Sequence, residues 1–398
     1  MKNLVDIHNE RCIGCTRCMR SCPMEAIRIV DNKAQLFKER CIYCGNCIIE
    51  CHKNAYKVYS DSFANLSKYK INVAILPIAI YGLLNNKDDL GGISATLKDY
   101  GFDEVVELSG IYSFMVDQIL DYIKNDDKTY ILTHCPSVTR LVTKKYPQLL
   151  HHLLPFSPPF EIAGKVYRRF FSEKYNLQED EIGISYISEC LSNFIVIKEN
   201  KDKIAIDQVF LLSDLIRNIS YKKIDEVKAV KKGVYFAKVG AFKYVSNNRD
   251  ILAVDGIRNV DTVLEHIDIR KIKNVRLVEA YSCTGGCVGG TFMQENPFVA
   301  KWRVNEFINE LDDDVTFDIN IEPIDYYAGE FESEEGVLTL SNDFREAIKK
   351  MKRINEILAI LPNIDCCACG SPSCRAFAED VVKGLKTIED CRMRKGGT

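Results

Sequence analysis

The residues able to do chemistry here are cysteines: the 398-residue chain holds 17 of them, mostly in short clusters. Cys12, Cys15, Cys18 and Cys22 are followed by Pro23, and Cys41, Cys44, Cys47 and Cys51 repeat the spacing 29 residues later. This duplicated C-x2-C-x2-C-x3-C pattern lets three thiolates of one run wrap a cubane while the fourth reaches across to the other. On that rule Cys12, Cys15, Cys18 and Cys51 hold one [4Fe–4S] cluster, and Cys41, Cys44, Cys47 and Cys22 hold a second. His52 stands where the first run has Pro23, which leaves the ligands intact. C-x2-C pairs also suit tetrahedral zinc, but two identical four-cysteine runs favour clusters.

Near the other end, Cys366, Cys369, Cys374 and Cys391 are spaced C-x2-C-x4-C-x16-C, with Cys367 as a spare thiol. Arg375 to Thr387 is helix-like and would carry Cys391 back toward the loop, so four thiolates are offered to one more cluster, with structural zinc as the alternative. The segment resembles the small four-cysteine [4Fe–4S] domain appended to corrinoid proteins, electron-transport subunits and sensory hydrogenases. Cys135, Cys190, Cys283 and Cys287 remain. Cys135 or Cys190 read alone is a buried core thiol, but sixteen cysteines suffice for four cubanes. A middle domain that binds no cluster would leave three.

Positioning these four thiols is the task of the segment between about Lys68 and Lys350, which alternates strand-like and helix-like stretches. Strands are expected at Ile71–Ile80, Glu104–Leu108, Thr129–Thr133, Glu181–Ile187, Ile251–Val254 and Val275–Ala280. Helices are expected at 94–100, 114–124, 137–154, 160–175, 207–219 and 260–267. Such alternation implies α/β units with a mostly parallel sheet, which places ligands beyond the carboxyl ends of its strands. Cys135, Cys190 and Cys283 follow three such ends. In Ser282-Cys283-Thr284-Gly285-Gly286-Cys287-Val288-Gly289-Gly290 the glycines let backbone N–H groups approach a cluster's sulfurs. A phosphate loop would need the GK[ST] ending that is missing here.

Composition narrows the remaining choices. A formal charge of −3 makes no field for nucleic acid or an anionic membrane. The basic runs Lys222-Lys223, Lys231-Lys232 and Arg392 to Lys395 are short and read as solvated faces. No apolar core follows the start as in an export signal, and Ile71 to Leu84 is too short to span a bilayer. Clustered thiols then point to a reducing, cytoplasmic and anaerobic setting.

The order of these parts resembles iron-only ([FeFe]) hydrogenases, in particular their divergent, sensory branches. Thr133-His134-Cys135-Pro136 resembles the family's T-S-C-C-P, and Ser188-Glu189-Cys190 stands where the family has M-P-C-x-x-K. Glu279-Ala280-Tyr281-Ser282-Cys283 through Gly290 resembles E-x-M-A-C-x-x-G-C-x-x-G-G-G. The resemblance implies a multi-domain α/β chain. It comprises a ferredoxin-like α+β module with two [4Fe–4S] clusters (1–60), a hydrogenase-type α/β domain with two parallel-sheet halves (65–350) and a small helical iron–sulfur domain (355–398). It further implies that Cys135, Cys190, Cys283 and Cys287 hold a cubane, with Cys287 bridging to a diiron unit.

The departures fall around that diiron unit. His134 replaces the family's proton-relay cysteine, and its imidazole could take over the relay near neutral pH. Asn193 replaces the lysine that grips a cyanide ligand. Ser188 and Tyr281 replace methionines, Val196 a glutamate of the proton route, and Ile78 the serine after Pro77. Changes of this kind cost ~10–100-fold each in metal affinity or activity. The expected function is a multi-cluster redox protein, slow or sensory in hydrogen chemistry, exchanging electrons with a ferredoxin or other carrier protein. The hydrogen couple, shifting ~59 mV per pH unit, lies at about −0.4 V at pH 7, where low-potential clusters also lie. The alternative is a non-hydrogenase electron-transfer or redox-sensing protein with a bare cluster at the diiron position.

Overall fold

The computed structural model describes residues 4–86, 88–125, 127–215, 228–246, 249–334, 338–341 and 343–393. They fall into two compact units, one formed by Met1–Val58, Thr143–Pro147 and Ser333–Thr398, the other by Tyr59–Val142 and Gln148–Glu332.

The first unit begins with β1 (Asp6–Ile7), α1 (Arg17–Ser21), β2 (Ile27–Val30), β3 (Lys33–Leu36), α2 (Asn46–Ile49) and β4 (Tyr56–Lys57). β1 pairs antiparallel with β4, and β2 with β3. The 29-residue repeat is visible in the backbone: the Ala26 and Ala55 amides donate to the Cys22 and Cys51 sulfurs, each at 3.3 Å. Thr16 and Gly45, again 29 apart, both start their short helices from left-handed backbone.

The second unit opens with β5 (Ile71–Leu76), α3 (Asp88–Asp99), β6 (Glu104–Glu107) and α4 (Ser109–Ile123). β7 (Tyr130–Ile131), α5 (Pro136–Lys145), α6 (Pro159–Tyr175), β8 (Ile182–Ser188), α7 (Leu191–Glu199), β9 (Gln208–Leu211) and α8 (Leu212–Leu215) follow. After α9 (Lys231–Val234) and α10 (Ala241–Val245) come β10 (Ile251–Asp255), α11 (Ile257–Asp268), β11 (Leu277–Tyr281), α12 (Pro297–Asn309) and α13 (Pro323–Tyr326). The strands form two parallel sheets, ordered β6-β5-β8-β9 and β10-β11-β7. Every residue of β8 and β11 is buried, as are Val73 to Leu76 of β5. Burial on both faces gives the continuous apolar runs of a covered parallel sheet. α14 (Phe344–Ile360) and α15 (Cys374–Val382) return to the first unit, where Ile354, Ile357, Leu361, Phe377 and Ala378 build a core with Cys391.

Several expected bounds shift for local reasons. The Ile71–Ile80 strand stops at Leu76, because Pro77 starts a 3-10 turn over Ile78–Leu83. The 137–154 helix stops at Lys145, and Pro147 opens a 3-10 segment to His152, since the residue before a proline is driven out of helical backbone. Residues 208–211, expected to be helical, are strand β9, hydrogen-bonded to β8. The rest of that expected helix divides between α8 and residues 216–219, which lie outside the described residues. The Lys222-Lys223 run also lies outside them, as do Arg394 and Lys395. Lys231 and Lys232 pair with Asp313 at 2.9 Å and Asp117 at 2.5 Å. No helix among the described residues is long and apolar enough to cross a membrane.

Candidate functional site

Four elements deliver one thiol each to a single cavity in the second unit. Cys135 follows the short strand β7 and precedes Pro136, the first residue of α5. Cys190 caps the N-terminus of α7 at the end of β8, and the Asn193 amide reaches its sulfur at 3.5 Å. Cys283 follows β11, and Cys287 opens the 3-10 turn after the glycine pair. All four line one small cavity together with His134, Tyr112, Tyr186, Glu189, Asn193 and Tyr281.

The glycines of the 283–290 loop are there for clearance. Gly286 has φ 104° and ψ −156°, a region essentially closed to other residues. A Cβ there would lie 2.6 Å from the Val239 nitrogen. A Cβ on Gly290 would lie 2.5 Å from the Glu189 carbonyl oxygen, so this loop packs backbone to backbone against the end of β8. Glu279, the acidic residue that opens the motif, accepts from the amides of Gly240, Ala241 and Phe242 at 2.9, 2.8 and 3.2 Å. It thereby ties β11 to the turn behind the loop, and the Val239 amide donates to the Gly285 carbonyl at 3.0 Å.

Burial pushes all four thiols upward, with Glu189 and the neighbouring cysteines adding repulsion. Four crowded thiols that resist ionisation separately suit a positively charged centre, which deprotonates coordinating thiols outright. His134 is 5% exposed, neither ring nitrogen has a hydrogen-bond partner, and its ring meets Tyr281 edge-on at 4.4 Å. Burial pushes its pKa down to about 3, so in this geometry the imidazole is neutral. Asn193 donates to Glu189 Oε1 at 3.1 Å and to the Tyr186 hydroxyl at 3.4 Å, while that hydroxyl donates to Glu189 Oε2 at 2.9 Å. Burial pushes Glu189 up to about 7. The sequence reading missed Glu189 and Tyr186 as site residues. The available signal was a carboxylate directly before a cysteine at a strand end, with Asn193 three residues beyond it.

The other cysteines fall into groups of their own. Cys12, Cys15, Cys18 and Cys51 line one cavity with Ile29 and Tyr56. Cys47 lies within electrostatic reach of Cys44, Cys41 and Cys22. Cys366, Cys369, Cys374 and Cys391 line a third small cavity. Cys367 also borders it, but its thiol donates to the carbonyls of Asp365 and Pro372, both at 3.3 Å, which fastens the loop upon itself. Among the described residues no three His, Cys, Asp or Glu side chains stand close enough to hold a single metal ion. A cubane's thiolates instead reach four separate irons.

A site built from strand-end cysteines on two parallel sheets, in a chain that also carries a duplicated cysteine module, defines an iron–sulfur protein. The chain matches the family model of the iron-only hydrogenase large subunit, C-terminal domain, over residues 78–241 and 211–291, and it belongs to that family. Residues 4–52 match the 4Fe-4S dicluster domain, and 361–393 match an Fe–S cluster domain. No curated protein matches the chain. Among solved structures, an [FeFe]-hydrogenase HydA1 variant from Chlamydomonas reinhardtii is 13% identical with a TM-score of 0.46, covering 63% of this chain and 89% of that one. A HydA structure described as revealing stepwise H-cluster assembly aligns with the same identity and TM-score, covering 63% of this chain and 88% of that one.

Proposed function

We propose that this chain is a cytoplasmic redox protein of anaerobic metabolism, passing low-potential electrons through four [4Fe–4S] clusters to a hydrogenase-type site that is slow or sensory in hydrogen chemistry. The observation that carries the reading is the single cavity lined by Cys135, Cys190, Cys283 and Cys287. These four would hold the cubane of that site, Cys287 bridging to a diiron unit. When bound, the assembly supplies one-electron redox chemistry and a site for hydrogen. The chain's own residues fix the thiols at strand ends and surround them with the buried side chains of Tyr112, His134, Tyr186, Glu189 and Tyr281. His134 is buried and neutral, and neither of its ring nitrogens has a hydrogen-bond partner through which a proton route would continue. Asn193 offers no positive charge, and its amide is engaged by Glu189 and Tyr186. These two losses, at ~10–100-fold each, support slow turnover. The electron partner would be a ferredoxin or another carrier protein.

The engaged Asn193 amide also favours a second reading, in which the cavity takes a bare [4Fe–4S] cluster and the protein transfers or senses electrons without hydrogen chemistry. An anaerobic infrared spectrum, recorded after supplying a synthetic diiron precursor, separates the two. Iron-bound CO and cyanide bands that shift under hydrogen are the expected result. Their absence from a protein with about sixteen irons refutes the hydrogen reading and leaves the bare cluster.

A further inference from the structure

The two ends of the chain meet in the first unit, and the contact is far more elaborate than joining two modules requires. Three hydrogen bonds connect the cysteine loop 366–374 to the stretch 20–29. Arg20 donates to the Cys366 carbonyl at 3.2 Å, the Ile29 amide to the Gly370 carbonyl at 2.9 Å, and Ser373 Oγ to Glu25 Oε1 at 2.7 Å. Arg20 lies between Cys18 and Cys22, and the side chain of Ile29 walls the cavity of Cys12, Cys15, Cys18 and Cys51. Gly370 directly follows Cys369, which lines the C-terminal cavity. One hydrogen bond thus spans the distance between the walls of two thiol-lined cavities.

The surroundings enforce that approach. Gly370 has φ 78°, and a Cβ on it would lie 2.1 Å from the Ile29 carbonyl oxygen. Beside it, Arg28 grips Asp380 through Nε at 2.6 Å and Nη2 at 3.1 Å, with both side chains 5% exposed. Ser371 Oγ donates to the same carboxylate at 2.8 Å, and Arg28 Nη1 donates to the Glu25 carbonyl at 2.7 Å. A second pair, Arg40–Glu379 at 3.2 Å, is nearly as buried. Buried ion pairs are poor value for stability beside an apolar contact of equal volume, and fixing a register is their best-attested use. Here the register fixed is that of a cysteine loop against a cysteine module.

We propose that this contact is a built electron-transfer junction between the C-terminal cysteine site and the ferredoxin-like site of Cys12, Cys15, Cys18 and Cys51, with Arg28 and Asp380 as positioning residues. The proposal rests on the cluster reading above. A single electron crosses the junction: one centre is oxidised by one unit and the other reduced by one, and no proton moves or bond changes. On this view the C-terminal site is a port into the ferredoxin-like module rather than a separate output.

The test is electron paramagnetic resonance of the full-length, cluster-loaded, dithionite-reduced protein, with iron counted on the same samples. Two reduced clusters held at this contact are expected to give a spectrum with spin–spin splitting or broadening. The share of that interaction owed to the C-terminal cluster should be lost in Cys369→Ser, which gives up about four irons, while coupling within the ferredoxin-like pair remains. That share should also be weakened or lost in Arg28→Lys, which keeps the charge and the iron but not the two-pronged grip. A full-iron wild-type spectrum equal to the sum of separate clusters overturns the proposal, as does an Arg28→Lys spectrum unchanged from wild type. A wild-type chain lacking the C-terminal irons fails the cluster reading itself and takes the proposal with it, an outcome the iron count alone identifies.

Discussion

Replacing Gly286 by alanine tests whether the ligand loop is held by backbone clearance. The residue's φ of 104° and ψ of −156° are nearly exclusive to glycine, and holding alanine there costs about 1–3 kcal/mol. The added Cβ would also lie 2.6 Å from the Val239 nitrogen and 2.7 Å from two backbone atoms of Lys238. Backbone that also holds a hydrogen bond to Gly285 cannot yield as a side-chain tip would. Overpacking of that kind costs roughly a further 1–3 kcal/mol. The sum, on the order of 2–6 kcal/mol, is a large part of a domain's usual margin. Gly240→Ala is the internal control. Its φ is 89°, yet nothing lies within 4 Å of the added carbon, so it carries only the left-handed cost of about 1–2 kcal/mol. Denaturant midpoints and iron content of both variants are the measurement. Gly286→Ala is expected to lose stability by more than Gly240→Ala and to lose iron selectively from the Cys283–Cys287 site. Equal behaviour of the two variants would sink the clearance argument.

Other expectations follow from the same geometry. Cys283→Ala should lower iron from about sixteen to about twelve per chain, and Cys283→Ala combined with Cys287→Ala should lower it no further; a second loss of similar size would mean the two thiols serve different centres. Cys367→Ala should keep the C-terminal irons while Cys369→Ala loses them, because the Cys367 thiol is bonded within its own loop; equal losses would make Cys367 a ligand. Lys238 is 1% exposed, sits 4.1 Å from the Tyr244 ring centre, and has its pKa pushed down to about 8 by burial and by repulsion from Lys301. Its folded pKa is below the unfolded ~10.4, so the unfolded chain binds more protons between pH 8 and 10 and stability should rise across that window. Lys238→Met should flatten that rise in thermal melts, and an unchanged slope would assign it to another group.

Much of the site was legible because local spacing carried it. The cysteines of the ferredoxin-like module repeat at 29 residues, and the Cys283 to Gly290 loop concentrates two thiols and four glycines where close approach demands them. The strand ends that deliver Cys135, Cys190 and Cys283 were readable from apolar runs alternating with helical stretches. What escaped depended on partners distant in the chain. The Arg28–Asp380 grip joins residues 352 apart, and nothing local to either one announces it. Val209 to Leu211 form an apolar run too short for periodicity to separate strand from helix, and pairing with β8 decides the matter. The neutrality of His134 likewise comes from burial, which its position in Thr133-His134-Cys135-Pro136 does not reveal.

The discontinuity of the first unit sets an order on biosynthesis. Its amino-terminal part is made first, while the stretch from Ser333 onward follows only after residues 59–332 have been translated. At ~5–20 residues per second, Arg28 waits roughly 20–70 s for Asp380, 352 residues later, to leave the ribosome. Until then its guanidinium has only the local carbonyls of Glu25 and Ile27 as hydrogen-bond partners within that early segment. A nascent or prematurely terminated chain therefore carries an unneutralised cation where the finished protein has a buried ion pair. Completion of this unit marks a chain translated at least through Cys391, which lies in the same core.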